Sequence, residues 1–202
     1  MCLIQSVGAD SLFYLDAHVE QMSGYSTFGM WKQHLRTEGL FAQLIADTLS
    51  LENLCVLCPD VGALKRAKTL AKSIRQISKK DVETAIINKE RLKPNEVAGL
   101  TLIGEVEGRD CVIVDDMVDT GGTMFKAVDL LKARGAKKVV VFATHGLFSK
   151  GFYDNLEKSQ VDGFYVTNSL RCRELSREKS SVIRRVDLSA MLAEFLRDKF
   201  GI

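Results

Sequence analysis

The sequence CVIVDDMVDTGGT, residues 111–123, decides the fold of this chain. Its four apolar residues run directly into two adjacent carboxylates, Asp115 and Asp116, and a third carboxylate follows at Asp119. A continuous apolar run of this length before a turn predicts a strand buried on both faces, as in a parallel sheet. The Thr-Gly-Gly-Thr turn then leads into a helical pattern over residues 124–133. A strand, a glycine turn and a helix are therefore predicted in succession.

The glycine turn has the chemistry of an anion site. Such a turn at the mouth of a helix leaves several backbone N–H groups pointing outward, most naturally toward a phosphate. The adjacent aspartates would repel that phosphate, so we expect them to face sugar hydroxyls or a magnesium ion carried by the substrate. An ordinary helix cap is the alternative, but one N-cap needs one aspartate rather than three with two glycines. The candidate ligand-binding residues are Asp115, Asp116, Asp119, Thr120, Gly121, Gly122 and Thr123.

Length and composition are those of a soluble globular protein. The 202 residues are 46% hydrophobic and 27% charged, with a net charge of +2, and they suffice for one α/β domain with a proper core. No long basic run indicates a nucleic-acid binder, and no apolar stretch reaches the length of a membrane span. The N-terminus lacks a basic region followed by an apolar core, so we expect a cytoplasmic protein. Cys55, Cys58 and Cys111 fall in apolar runs and are expected to be reduced and buried.

Strand and helix patterns alternate along the rest of the chain. Strands are expected over residues 11–16, 54–58, 82–88, 137–144, 163–167 and 181–186, with a short antiparallel strand over 100–105. Helices are expected over residues 37–49, 63–77, 124–133, 150–158 and 188–199. This alternation predicts an α/β fold with a doubly wound, mostly parallel sheet and helices on both faces. We expect a single domain over residues 1–202.

Two further candidates follow strands of the predicted sheet. His18 comes directly after the first strand, and Asp60 stands between a strand and a helix beside a glycine. Ligands of an open parallel sheet bind outside the carboxyl ends of its strands, so His18 is a candidate ligand-site residue. Asp60 is a candidate contact for magnesium or a diphosphate. Each has a plainer alternative, a structural histidine and a helix N-cap.

The charged segment KERLKPNE, residues 89–96, follows the third strand and is typical of a mobile loop. Because the loop follows a strand of the same sheet, Lys89 and Arg91 are candidates to fold over bound phosphates. Positive charge that arrives on closure would stabilise phosphoryl transfer. A solvated surface loop is the alternative.

Taken in order, these motifs resemble one family, the ribose-phosphate diphosphokinases, which make phosphoribosyl diphosphate (PRPP). The segments FYLDAHVEQMSGY, CPDVGALKRAKTLA, NKERLKPNEV and VDDMVDTGGT are similar to that family's histidine segment, diphosphate loop, catalytic flexible loop and ribose-5-phosphate loop. THGLFS and VDLSAMLAEFLRDKF match as well, so the resemblance runs from about residue 11 to the C-terminus. It implies a type I phosphoribosyltransferase-like fold. Phosphoribosyltransferases that use PRPP share the central motif but not the whole series.

The resemblance also implies a reaction and a role for each candidate. The C1 hydroxyl of ribose 5-phosphate would attack the β-phosphorus of ATP, giving PRPP and AMP with Mg²⁺. His18 and Asp60 would contact the magnesium bound to ATP, while Lys89 and Arg91 would stabilise the transferring group. The aspartates and the Thr/Gly turn of the central motif would hold ribose 5-phosphate.

The sequence departs from the family in one large respect. The family's N-terminal α/β domain, which supplies much of the adenine site and the subunit interface, is expected to be absent. We therefore expect a homo-oligomer, or a hetero-oligomer with a longer homologue, that takes ribose 5-phosphate, ATP and PRPP. A phosphoribosyltransferase and a non-catalytic regulatory subunit are the alternatives. The intact pair Lys89 and Arg91 favours an enzyme, since a pure regulator need not keep it.

Overall fold

The computed structural model describes residues 2–19, 29–93, 96–171 and 181–201, and for residues 61, 89–93 and 96–98 it describes the backbone alone. The contacts within the chain divide it into two units, Met1–Thr37 and Glu38–Ile202. The single domain expected over residues 1–202 stays a prediction. Within the described ranges, no helix is long and apolar enough to cross a membrane.

The N-terminal unit (Met1–Thr37) contains a short helix and a pair of strands. Helix α1 spans Cys2–Ser6, and strand β1 (Ser11–Leu15) pairs in parallel with β2 (Trp31–Leu35) in a separate two-stranded sheet. The expectation that the first strand joins the main sheet is therefore wrong. The sequence pattern does not predict β2, because three of the five residues in WKQHL are polar and they do not alternate with apolar ones.

The C-terminal unit (Glu38–Ile202) is built on a seven-stranded sheet. All neighbouring strands are parallel except β4 and β5, which form an antiparallel hairpin. In spatial order the strands are β5 (Glu96–Ile103), β4 (Glu83–Lys93), β3 (Leu54–Cys58), β6 (Asp110–Val118), β7 (Lys138–Gly146), β8 (Gly163–Thr167) and β9 (Ile183–Val186). The antiparallel strand expected near residue 100 is confirmed as β5.

Four helices cover the two faces of this sheet: α2 (Glu38–Thr48), α3 (Leu64–Ser78), α4 (Gly122–Ala133) and α5 (Phe152–Lys158). A fifth helix, α6 (Ser189–Phe200), follows β9 and contains no buried residue. Alternate residues of β6 pack into two different cores, because successive side chains of a strand point to opposite faces. Ile113 packs with α4 and α5, whereas Val112 and Val114 pack with α2 and α3. The predicted α/β fold, doubly wound around a mostly parallel sheet, is confirmed.

Two strands run further than the sequence pattern indicated. The backbone of residues 89–93 continues β4 and pairs with β5, with Lys89 opposite Leu100 and Arg91 opposite Val97. The loop expected here is therefore wrong for residues 89–93 and for Glu96, whereas residues 94 and 95 lie outside the described part of the chain. An antiparallel hairpin satisfies its backbone N–H and C=O groups across the ladder, so a highly charged sequence can remain extended there. Strand β6 likewise continues past its apolar run to Val118, because β7 pairs with it over that length.

Candidate functional site

A cavity of about 220 Å³ lies in the C-terminal unit at the carboxyl ends of β3 and β6. Strand β3 connects through α3 to β4 on one side, whereas β6 connects through α4 to β7 on the other. The cavity therefore lies where the order of the strands reverses, which is where open α/β sheets bind their ligands. Its lining consists of Pro59, Asp60, Asp115, Met117, Val118 and residues 119–124. The structure thus brings together Asp60, Asp115, Asp119 and the Thr/Gly turn.

The shape of the glycine turn depends on Gly121. This residue adopts a left-handed backbone, with φ of +72°, at the N-cap position of α4. A Cβ atom there would collide with the ring of Phe125 and lie 3.1 Å from Phe152. Residue 121 must therefore be glycine for both conformational and packing reasons. The backbone of Gly121 lies so close to the rings of Phe125 and Phe152 that no room remains for a Cβ atom.

The start of α4 has the chemistry of an anion site. Among the described residues no side chain caps Gly121, and the N–H of Gly122 lies 3.5 Å from Thr120 Oγ1, at the outer limit of a hydrogen bond. The first N–H groups of a helix have no partners within it, and the helix dipole adds partial positive charge at this end. Gly122 and Thr123 line the cavity at this point. The arrangement suits a phosphate.

The carboxyl group of Asp115 forms part of the facing wall. Burial raises its pKa to about 8, and the side-chain hydrogen bond with Asp116 and the negative charges of Asp116 and Asp60 act in the same direction. The backbone N–H of Asp116, which donates to Asp115 Oδ1 at 2.9 Å, opposes the shift. Nearby carboxylates disfavour a further negative charge at Asp115. A ligand that brings hydroxyl donors or a cation to this wall would therefore be favoured.

Asp116 occupies a different position from its neighbour. Its side chain is only 8% exposed, and it is not among the described residues that line the cavity. Met117 does line the cavity, as expected for a residue two positions after Asp115 on the same strand. Only one member of the predicted aspartate pair thus lines this space, and the sugar-binding role of Asp116 stays a prediction.

Asp60 lies in the loop after β3 and lines the same cavity. Its Oδ1 accepts a hydrogen bond from the N–H of Ala63 at 3.0 Å, at the end of the short 3-10 turn Val61–Ala63. The N-cap residue of α3 is Ala63, which has no side-chain cap, so Asp60 caps this short turn and not α3. A carboxylate offers about four acceptor positions, which leaves capacity for a second partner. A role in contacting magnesium is compatible with this geometry and stays a prediction.

The donor set at the cavity fits one kind of metal ion. No group of three or more His, Cys, Asp or Glu side chains in the described part of the chain is arranged to hold a metal. Asp60 and Asp115 nonetheless both line the cavity. Magnesium commonly binds through one or two carboxylates together with substrate phosphates and water. These residues therefore fit a magnesium ion that arrives with a substrate better than a resident one.

His18 belongs to the N-terminal unit, shortly after the end of β1. Hydrogen bonds of Asp16 and His34, which no sequence motif indicated, hold the turn before it. Asp16 is fully buried with φ of +38° and accepts hydrogen bonds from the N–H (3.2 Å) and the hydroxyl of Thr37. The N–H of Ala17 donates to His34 Nε2 at 3.1 Å. These bonds fix the chain just ahead of His18, whose role stays a prediction.

Lys89 and Arg91 lie on β4, and their side chains are outside what the structure describes. Their proposed contact with phosphates stays a prediction. The buried cysteines are better defined. Cys55, Cys58 and Cys111 are reduced and fully buried, as expected, and burial raises the pKa of each thiol.

Comparison with known proteins identifies relatives of this chain. Residues 65–201 match the family described as the phosphoribosyl synthetase-associated domain. Ribose-phosphate pyrophosphokinases of Vibrio parahaemolyticus and Vibrio cholerae are 40% and 38% identical over 200 residues, which cover 96% of this chain and 59% of each relative. The crystal structure of phosphoribosylpyrophosphate synthetase from Mycobacterium smegmatis matches with a TM-score of 0.84 and 31% identity, covering 98% of this chain and 61% of that one.

The chain therefore spans 59% of the length of the curated relatives that it matches. The resemblance inferred from the order of the motifs is confirmed, as a match to only part of the family's length. Together these matches show that the chain belongs to the family described as the phosphoribosyl synthetase-associated domain and that it resembles ribose-phosphate pyrophosphokinases over part of their length.

Proposed function

We propose that this chain is a cytoplasmic, ribose-phosphate diphosphokinase-like transferase that works together with a partner chain. The reaction is the Mg²⁺-dependent transfer of the diphosphoryl group of ATP to ribose 5-phosphate, which gives PRPP and AMP. The observation that carries this proposal is the cavity between β3 and β6. There the start of α4, which no N-cap side chain covers, and the half-buried carboxyl group of Asp115 line the same space.

The two walls of the cavity divide the recognition of ribose 5-phosphate between them. The backbone N–H groups at the start of α4 bind the 5-phosphate, and the hydroxyls of Thr120 and Thr123 add further donors. Asp115 accepts hydrogen bonds from the ribose hydroxyls, which favours its ionised form in the complex. The sugar is thereby held at both ends, with its C1 hydroxyl toward the loop that carries Asp60.

The proposed chemistry asks mainly for positioning and charge. The bond that forms joins the C1 oxygen to the β-phosphorus, and the bond that breaks joins that phosphorus to the oxygen shared with the α-phosphate. AMP leaves with that oxygen, and the proton of the C1 hydroxyl passes to solvent. The magnesium ion, when bound, neutralises charge on the phosphates. Asp60 orients the metal-bearing diphosphate, while Lys89 and Arg91 stabilise the negative charge of the transferring group.

The size of the cavity supports the need for a partner. At about 220 Å³ the cavity falls below the roughly 300–1,000 Å³ typical of sites for drug-sized ligands, so it suits a sugar phosphate better than a whole nucleotide. We propose that a second copy of this chain or a longer homologue completes the adenine side of the site.

A non-catalytic regulatory subunit is the second candidate, because the cavity suits a sugar phosphate better than the whole nucleotide that turnover needs. Such a subunit would bind ribose 5-phosphate or PRPP without turnover. The two candidates therefore differ in activity rather than in ligand binding.

The test is an assay of AMP and PRPP formation from ATP and ribose 5-phosphate, with this chain alone and mixed with a full-length ribose-phosphate pyrophosphokinase. The mixture should exceed the sum of the separate activities. A chain in which Asp115 and Asp116 are both replaced by Ala should lose ribose 5-phosphate binding in calorimetry. Asp129→Asn, an exposed carboxylate on α4, is the matched control and should bind normally. Unchanged affinity in the double variant would contradict the proposed site.

A further inference from the structure

Helix α5 contacts the glycine turn through a polar side chain. The Nδ2 atom of Asn155 donates a hydrogen bond to the carbonyl oxygen of Thr120 at 3.1 Å, across 35 residues of sequence. Thr120 lines the cavity, whereas Asn155 is not among the described residues that do. Asn155 therefore contacts the turn from outside the lining of the cavity.

This hydrogen bond has a consequence for the next amide. The carbonyl of Thr120 and the N–H of Gly121 belong to one planar trans peptide group, so they point in opposite directions. Holding the carbonyl toward α5 directs the Gly121 N–H away from α5. Gly121 itself lines the cavity, so the direction of this N–H decides whether a ligand there can accept a hydrogen bond from it.

A second contact from the same helix supports the turn. Phe152, at the start of α5, lies under Gly121 so closely that a Cβ atom would come within 3.1 Å of its ring. The ring limits how far the turn can move toward α5, but it exerts no control over the rotation of the peptide plane. The side-chain amide of Asn155 supplies that control, because a hydrogen bond has a preferred direction.

We infer that Asn155 is a positioning residue that aims the Gly121 N–H at the phosphate group of a sugar phosphate. This inference rests on the proposed function, because it assumes that the turn binds a phosphate monoester. It concerns the phosphate alone, since the sugar hydroxyls face Asp115 on the other wall.

The experiment compares three variants of the full chain by nuclear magnetic resonance. Asn155→Ala removes the donor, and Asn155→Asp replaces it with a nearly isosteric acceptor that repels the Thr120 carbonyl. Gln160→Ala removes an exposed amide that follows α5 and serves as the matched control. Each is titrated with ribose 5-phosphate and with inorganic phosphate, and the Gly121 amide resonance is followed with and without ligand. The amide of Gly135, beyond the far end of α4, is the internal reference.

A neutral hydrogen bond of this kind changes an equilibrium by about three- to tenfold. Asn155→Ala should therefore weaken both ligands by about that factor, and Asn155→Asp by at least as much. In both variants the unliganded Gly121 resonance should move while that of Gly135 stays in place. Gln160→Ala should match the unchanged chain in every measurement.

Two results would overturn the inference. One is an Asn155→Ala variant that binds both phosphates as tightly as the unchanged chain. The other is movement of the Gly121 and Gly135 resonances together, which would indicate general loss of structure rather than rotation of one peptide. If the unchanged chain binds neither ligand, the proposed function fails, and the unliganded Gly121 resonance still decides whether Asn155 orients this amide.

Discussion

Replacing Gly121 by Ala should destabilise the C-terminal unit strongly. A non-glycine residue in the left-handed region costs roughly 1–2 kcal/mol, and Gly121 has φ of +72°. The added Cβ also meets the rings of Phe125 and Phe152, and overpacking of this kind costs about 1–3 kcal/mol. The two penalties together predict a loss of about 2–5 kcal/mol. For a unit of this size, that corresponds to a fall in Tm of roughly 4–20 °C.

The neighbouring glycine provides the control. Gly122 is the first residue of α4, and a Cβ atom there would meet only Thr120 Oγ1, at 3.8 Å. Ala is favoured over Gly in a helix by up to about 1 kcal/mol, so Gly122→Ala should be neutral or slightly stabilising. Urea denaturation followed by circular dichroism measures both variants. Equal stability of the two alanine variants would refute the reasoning, because it would mean that neither the backbone nor the rings restrict residue 121.

Three further predictions concern charge, catalysis and assembly. The pKa of Asp115 in the folded chain is raised to about 8, above the roughly 3.9 of an unfolded aspartate. Between these two values the folded state binds one proton more than the unfolded state. The free energy of unfolding should therefore fall as pH rises from about 4 to about 8. In urea denaturation at several pH values, Asp115→Asn should weaken the dependence of the free energy of unfolding on pH, whereas Asp129→Asn should leave it unchanged. An unchanged pH dependence in Asp115→Asn would rule out this carboxyl group as its source. Lys89→Ala and Arg91→Ala should each lower kcat about a hundredfold, for a loss of about 3 kcal/mol, with modest change in KM. A large rise in KM at unchanged kcat would make them binding residues instead. The purified chain should self-associate or join a full-length homologue, and it should bind ribose 5-phosphate more tightly than ATP; a monomer in light scattering that turns over ATP at about 1–100 per second would contradict this.

The central part of the fold could be predicted because its signals are local. The continuous apolar run before Asp115 predicts a strand that is buried on both faces of a sheet. The glycine turn before the next helix is likewise recognised from adjacent residues alone. The alternation of strands and helices then predicts a doubly wound sheet, whose ligands bind outside the carboxyl ends of its strands. The structure confirms this sheet and brings Asp60 and Asp115 to one cavity.

The features that sequence reasoning missed depend on distant partners. Strand β2 has a weak pattern of its own and is extended because β1 pairs with it. The segment around Lys89 is extended because β5 supplies its hydrogen bonds, whatever the charge of its side chains. Asn155 could not be selected either, because its target, Thr120, lies 35 residues earlier in the chain. In each case a long-range hydrogen bond decides the outcome, and no local pattern encodes it.

The position of the cavity makes ligand binding a reporter of complete folding. Its lining comes partly from the loop after β3, with Asp60, and partly from β6 and the turn after it. Strands β3 and β6 pair with Leu54 opposite Asp110, and α3, β4 and β5 intervene between them in sequence. Closing so long a loop costs conformational entropy before the pairing returns any contact. A partly folded chain without this pairing keeps the glycine turn but does not bring Asp60 to it. A ligand that contacts both therefore binds the native chain alone and stabilises it in proportion to the logarithm of its concentration above its Kd.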